Sequence, residues 1–261
     1  MITGAICLNT AQSVAQKLTQ EKQVLFTYGD FYPAEVSGYE ILVIESAHFD
    51  SEDIAVLKQN NNTVLAYISL GEVNEAAAHF PVLKDFTFGK NEIWNSHILD
   101  IENEETREAL MAIFDYNMKK GLDGMFLDNI DNYTEFGPTP EKKEALIDFL
   151  KVLNIVYPNI YLMQNAGVSI IKDTHPYIES VAKESIATDF NFLYSKYQLR
   201  DEEVFKQLLE ELNEVYKKYE VPVVLIEYAE TPELKKAIKQ RLEQTNWPYF
   251  IGKIDLQDIP D

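Results

Sequence analysis

The feature that most constrains this chain is a repeated unit rather than a motif. Eight times along 261 residues, an apolar run of strand length leads into a polar or acidic cluster and then a helical pattern. The runs are Val24–Tyr28, Ile41–Glu45, Val64–Ser69, Met125–Asp128, Ile160–Gln164, Ser180–Glu184, Val223–Glu227 and Tyr249–Ile251. Several are unbroken and β-branched, such as Ile41-Leu42-Val43-Ile44 and Val223-Val224-Leu225-Ile226. Continuous apolar character suits strands covered on both faces, as in a parallel sheet wrapped by helices. Eight strand–helix units predict an α/β fold, a (β/α)8 barrel, over an open doubly wound sheet. No GxGxxG follows any run, which counts against a dinucleotide fold. Barrels of this kind use about 250 residues as one unit, so a single domain over residues 1–261 is expected.

The intervening helices carry their own punctuation. Asn103 is placed to cap a helix with Glu104 and Glu105 in its first turn, Lys119 and Lys120 in its last, and Gly121 as its stop; these charges complement the helix dipole. Thr139-Pro140 and Thr231-Pro232 both read as an N-cap followed by proline at the first helical position. Leu146, Leu150 and Leu153 form one predicted buried stripe, and Leu208, Leu212 and Val215 another. The stretch Glu72–Leu99 exceeds a plain connection and is expected to cover one end of the domain with a short helix and an irregular loop.

Composition limits the partners. Forty-three acids against 23 bases give a net charge of −20, a surface that repels nucleic acid and anionic membranes and attracts cations. A single cysteine, Cys7, excludes an intramolecular disulfide and any CxxC site. No apolar run approaches the roughly 18 residues of a membrane span. The start, Met1–Leu8, lacks the pattern of a signal peptide, so a cytoplasmic protein and one whose leader has been removed both remain open. His48, His79, His97 and His175 show no HxH or HExxH spacing; no metal and no cofactor are expected.

Chemistry is expected at the C-terminal strand ends, which converge on one mouth in a barrel. There stand Tyr28-Gly29-Asp30, Glu45, Ser69-Leu70-Gly71-Glu72, Asp128-Asn129, Gln164-Asn165, Glu184 and Glu227-Tyr228. Mutual repulsion among so many carboxylates should raise some pKa values and keep one acid protonated as a proton donor. Plainer roles compete: an Asx turn for Asp128, an ion pair or helix-entry acid for Glu184, ordinary packing for Tyr28, Tyr67, Trp94, Tyr133 and Tyr228. Two carboxylates flanked by amides and aromatics suit glycosidic bond cleavage, with retention at a separation of roughly 5–5.5 Å and inversion at a wider one. Alternatives are a sugar-binding barrel without turnover and a Mg²⁺ enzyme of enolase type using Glu45, Asp128 and Glu184.

Tyr67-Ile68-Ser69-Leu70-Gly71-Glu72, followed by Gly121-Leu122-Asp123-Gly124-Met125-Phe126-Leu127-Asp128-Asn129-Ile130-Asp131, resembles glycoside hydrolase family 114. That family includes endo-α-1,4-polygalactosaminidases and Pel-type exopolysaccharide hydrolase domains. The resemblance implies a barrel that cuts α-1,4 bonds in a galactosamine-rich, partly de-N-acetylated exopolysaccharide, with retention and without a cofactor. It places the catalytic pair, an aspartate after the fourth strand and a glutamate after the sixth, on Asp128 as nucleophile and Glu184 as general acid/base. Other retaining barrels would pair Asp128 with Glu227 instead. Tyr28, Asp30, Glu45, Tyr67, Ser69, Glu72, Asn129, Asp131, Asn165, Glu227 and Tyr228 are the candidates for the sugar-contacting shell. A cationic amino-sugar polymer is the expected partner, an exported or cell-surface location the family expectation, and a monomer the expected state.

Overall fold

A computed structural model describes residues 23–260; Cys7, the chain start and Asp261 lie outside the described residues. Eight parallel strands form the central sheet: β1 (Val24–Thr27), β2 (Ile41–Ile44), β3 (Thr63–Ser69), β4 (Gly124–Asp128), β5 (Tyr161–Asn165), β6 (Ser180–Glu184), β7 (Val223–Tyr228) and β8 (Tyr249–Gly252). They lie side by side in chain order, and all eight predicted runs are strands with ends shifted by a residue at most. β1 and β8, the two ends of that order, come together to close a (β/α)8 barrel. The Phe26 and Phe250 rings meet at 5.7 Å, and the Tyr28 N–H donates to the Leu256 carbonyl at 2.7 Å. The interior is filled rather than hollow, with Phe26 also edge-on to Phe126 of β4 at 5.3 Å.

The unbroken apolar runs have the predicted cause. Every residue of β1, β2 and β7 is buried, because the barrel interior takes one face and helices the other. Helices α1 (Ser51–Asn60), α2 (Glu104–Lys120), α3 (Lys143–Val156), α4 (Glu202–Tyr219) and α5 (Pro232–Leu242) wrap it. Leu146, Leu150 and Leu153 of α3 are fully buried, each contributing about 1.5–3 kcal/mol by leaving water. Asn103 caps α2 by accepting from Thr106 N at 3.1 Å, and Gly121 ends it at φ 101°, a conformation that glycine adopts without a Cβ penalty.

Four local expectations are corrected. The eight units are not uniform: β1 and β2 are joined through a single 3-10 turn, Pro33–Glu35, and β5 and β6 through short turns over 168–177. Thr139 does not cap α3. A 3-10 turn, Pro140–Lys142, comes first, and the Thr139 hydroxyl donates to the Asn132 carbonyl at 3.1 Å instead; Thr231 does cap α5. The buried stripe of α4 centres on Phe205, Leu209 and Leu212, with Leu208 and Val215 only half-buried at its flanks. Glu72–Leu99 holds more order than a loop. Glu72–Asn74, Thr87–Asn91 and Ser96–Leu99 form a three-stranded antiparallel sheet around the short helix Phe80–Leu83. A second insertion after β6, the hairpin Thr188–Asn191/Lys196–Leu199, was not foreseen. Short, partly buried strands of this kind lack the long apolar runs that betray barrel strands.

Candidate active site

Three consecutive strands end in the same way. Asp128 closes β4, Asn165 closes β5 and Glu184 closes β6. The residue that follows each one, Asn129, Ala166 or Ser185, is left-handed at φ 58°, 58° and 57°. None is glycine, so each backbone costs about 1–2 kcal/mol relative to an ordinary conformation. Neighbouring strands hold two of them in place: Ala166 N donates to the Ala182 carbonyl at 3.0 Å and Ser185 N to the Ile226 carbonyl at 2.8 Å. The turns stop the strands abruptly and leave three polar side chains at one level of the mouth.

Those side chains meet on one atom. Asn165 Nδ2 donates to Asp128 Oδ1 at 2.8 Å and to Glu184 Oε1 at 2.6 Å. One amide nitrogen between them holds the two carboxylates close together across the mouth. Each carboxylate has a second donor of its own: the Tyr67 hydroxyl reaches Asp128 Oδ2 at 2.9 Å, and the Tyr228 hydroxyl reaches Glu184 Oε2 at 2.5 Å. Tyr28 completes the group, its ring 4.8 Å from that of Tyr67. Burial, then the Asp128, Glu184 and Glu45 charges, push its phenol well above the usual range.

Electrostatics acts on both acids in the same direction. Burial raises the Asp128 carboxyl, against three groups that favour its anion, the Asn165 amide, the Asn129 backbone and the Tyr67 hydroxyl. Burial also raises Glu184, and the Asp128 charge raises it further, opposed by Tyr228, Asn165 and Lys183. Two carboxyls sharing one donor cannot both ionise cheaply, so one proton is retained by the pair.

The other sequence candidates divide into rim and scaffold. Ser69 donates to Asn129 Oδ1 at 2.6 Å and accepts from Glu72 N at 2.9 Å, fixing the loop beneath Asp128. Gly71 is needed there because a Cβ would stand 2.4 Å from the Asn129 carbonyl oxygen. Glu45 caps the turn Ser46–His48 by accepting from Ala47 N at 3.1 Å. Asp30 and Asp131 are exposed at the rim. Tyr133 is core, its hydroxyl donating to the Leu70 carbonyl at 2.7 Å.

Two acids expected in the sugar-contacting shell are scaffold instead. Glu72 is buried and accepts from Asn91, Asn132 and Ser96, which ties the three-stranded insertion to the mouth. Glu227 is fully buried and accepts from Ala187 N (2.9 Å), Thr188 N (2.9 Å) and the Thr188 hydroxyl (2.6 Å). It roots the second insertion and has no face toward the pocket, so Glu184 rather than Glu227 stands opposite Asp128. Sequence reasoning missed Asn91, Ser96 and Thr188, which lie on insertions whose folding carries no periodic signal, and Asn132, in the 3-10 turn Ile130–Tyr133 after β4. Among the described residues, no three His, Cys, Asp or Glu side chains converge in a way that could hold a metal ion, and no helix is long and apolar enough to cross a membrane.

Buried acids make stability depend on pH. Burial pushes Glu227 up to about 7, against its hydrogen bonds, and raises Asp128 and Glu184 as well. An acid whose folded pKa lies above its unfolded one contributes stability below the unfolded pKa and loses it as pH rises through the folded value. The net charge of −20 adds self-repulsion in the same direction. Melting temperature at fixed ionic strength should therefore fall from about pH 5 to about pH 8, and Glu227→Gln should flatten part of that slope. A melting temperature that climbs over this interval would contradict the assignment.

A model of glycoside-hydrolase family GH114 matches residues 8–254. The glycoside hydrolase domain of PelA from Pseudomonas aeruginosa superposes with a TM-score of 0.80 at 26% identity, covering 91% of this chain and 96% of that one. Ega3 of Aspergillus fumigatus, solved in complex with galactosamine, shares the fold with a TM-score of 0.69 at 20% identity, covering 90% of this chain and 92% of that one. No curated protein sequence gives a significant match.

Proposed function

Because the chain belongs to glycoside-hydrolase family GH114 and is a glycoside hydrolase, we propose that it is an endo-acting, retaining enzyme cutting α-1,4 bonds in a galactosamine-rich, partly de-N-acetylated polysaccharide. The observation that carries this reading is the pair of carboxylates held on one amide nitrogen. Asp128 attacks the anomeric carbon as the glycosidic C–O bond breaks, while Glu184 delivers its proton to the leaving oxygen. The Glu184 carboxylate so formed then takes a proton from water. That water attacks the same carbon, releases Asp128 and restores the starting configuration.

Charge supports the choice of polymer. Free galactosamine amines are cationic, whereas N-acetylated sugars are neutral, and acids dominate both the mouth and the whole surface. Steering by such a field is screened by salt over a Debye length of about 10 Å at 0.1 M. The galactosamine bound in the Ega3 complex agrees with this chemistry.

Digesting de-N-acetylated and fully acetylated polymer at two salt concentrations tests the proposal, with the new reducing ends read by NMR. The expected result is α-configured ends at early times and faster cleavage of the de-N-acetylated polymer, with an advantage that shrinks as salt rises. Initial β-anomers would exclude retention. Equal, salt-insensitive rates would remove the electrostatic basis for the substrate.

A further inference from the structure

The two insertions at the mouth end in turns of one design. The strands Thr87–Asn91 and Ser96–Leu99 turn through residues 92–95, and Thr188–Asn191 and Lys196–Leu199 through residues 192–195. In both, the asparagine before the turn accepts a backbone hydrogen bond from within it: Ile93 N to Asn91 Oδ1 and Tyr194 N to Asn191 Oδ1, each at 3.2 Å. In both, the last turn residue is left-handed, Asn95 at φ 51° and Ser195 at φ 47°. Asx-stabilised turns are stiff supports. What these supports present to solvent is apolar: Ile93 is 64% exposed, Trp94 46%, Phe192 48% and Leu193 81%.

The tips also touch. β3 and β6, from which the insertions spring, are separated by β4 and β5, so the tips meet only by spanning the arc above Asp128 and Asn165. The Trp94 and Phe192 rings are 5.5 Å apart at 89°. Phe192 continues edge-on to Phe190 at 5.0 Å, and Phe190 lies tilted at 54° against Tyr197 at 4.7 Å. The line ends beyond β8, where the Tyr197 hydroxyl accepts from Ile254 N at 3.2 Å. A T-shaped contact occupies one face of one ring only, and Trp94 and Phe192 both stay about half exposed.

We propose that Trp94 and Phe192 form a distal saccharide subsite, a platform on which a sugar of the polymer stacks at a distance from the cleavage point. The occupant follows from continuity with the pocket. One support is tied to the mouth by Glu72 through Asn91 and Ser96, the other by Glu227 through Thr188, so the rings stand at the same end of the barrel as the acids. The C–H face of a pyranose is flat and apolar enough to cover an aromatic face. Glu92, beside Trp94 in the turn, is exposed and offers a carboxylate to a sugar ammonium. The inference rests on the reading of the pocket as a galactosamine-polymer hydrolase.

The chain has two tryptophans, Trp94 and Trp247, and Trp247 is buried. A Trp247→Phe background therefore makes Trp94 the sole tryptophan reporter. The probes are de-N-acetylated galactosamine oligosaccharides of increasing length, with binding read on the Asp128→Asn protein and turnover on the protein with Asp128 intact. Long oligomers should shift Trp94 emission and disaccharides should not. Trp94→Ala and the apolar but ring-less Trp94→Leu should each raise KM for long polymer about tenfold, with a penalty that shrinks as the oligomer shortens. If the polymer is cleaved but emission stays still, or if either well-folded variant matches the parent on long polymer, the platform is refuted. Length-dependent emission changes without cleavage by the intact protein would keep the platform and overturn the hydrolase reading. Neither binding nor cleavage of any galactosamine oligomer would overturn both.

Discussion

Asp128→Asn should lower turnover of galactosamine-rich polymer by about a thousandfold or more, with the fold retained. The amide keeps the volume of the carboxyl and can still accept from Tyr67, but it cannot form the covalent bond to the anomeric carbon. Glu184→Gln produces a loss of the same order on natural polymer for a different reason. It removes the proton delivered to the leaving oxygen. The two variants separate on an aryl glycoside whose leaving group needs no protonation: Glu184→Gln should regain its first step there, and Asp128→Asn should not. The intact protein should give a bell-shaped pH–rate curve. Activity falls on the acid side as Asp128 gains a proton, and on the alkaline side as Glu184 loses the one that burial and the Asp128 charge help it keep. Near-full activity in either variant would remove that residue from the pair.

Asn165→Asp is the second large effect. One amide nitrogen now satisfies both acids; an aspartate would replace two hydrogen bonds with a third negative charge a few ångströms from each. Like charges in so small a space raise carboxyl pKa values, so the whole pH–rate curve should move toward alkaline pH and kcat should drop about a hundredfold. The expected role of Asn165 is that of a positioning residue, and the pH profile distinguishes it from simple structural support. Loss of activity with an unmoved profile and a collapsed melting temperature would mark it as scaffold; unchanged kcat and profile would dismiss the bridge altogether.

The barrel was legible because burial on two faces writes itself into composition. Runs such as Ile41-Leu42-Val43-Ile44 have no polar position, and only a strand wrapped on both sides tolerates that. The caps at Asn103 and Thr231 were legible for the same local reason, since their partners lie within three residues. The insertions were not. Their strands are three to five residues long and only partly buried, and they are anchored by Glu72 and Glu227, side chains expected in the sugar-contacting shell.

By itself, the order of residues determined eight strands, their parallel arrangement and a ring of acids at the strand ends, because periodicity and burial are properties of short segments. Only the assembled barrel decided which acids face each other. Glu184 and Glu227 look alike along the chain, each a glutamate after an apolar run. Three-dimensional packing gives the first an amide shared with Asp128 and the second two backbone N–H groups in a closed interior. Contacts between residues 37 or 40 positions apart leave no trace in local sequence, and the chemistry of this site is made of such contacts.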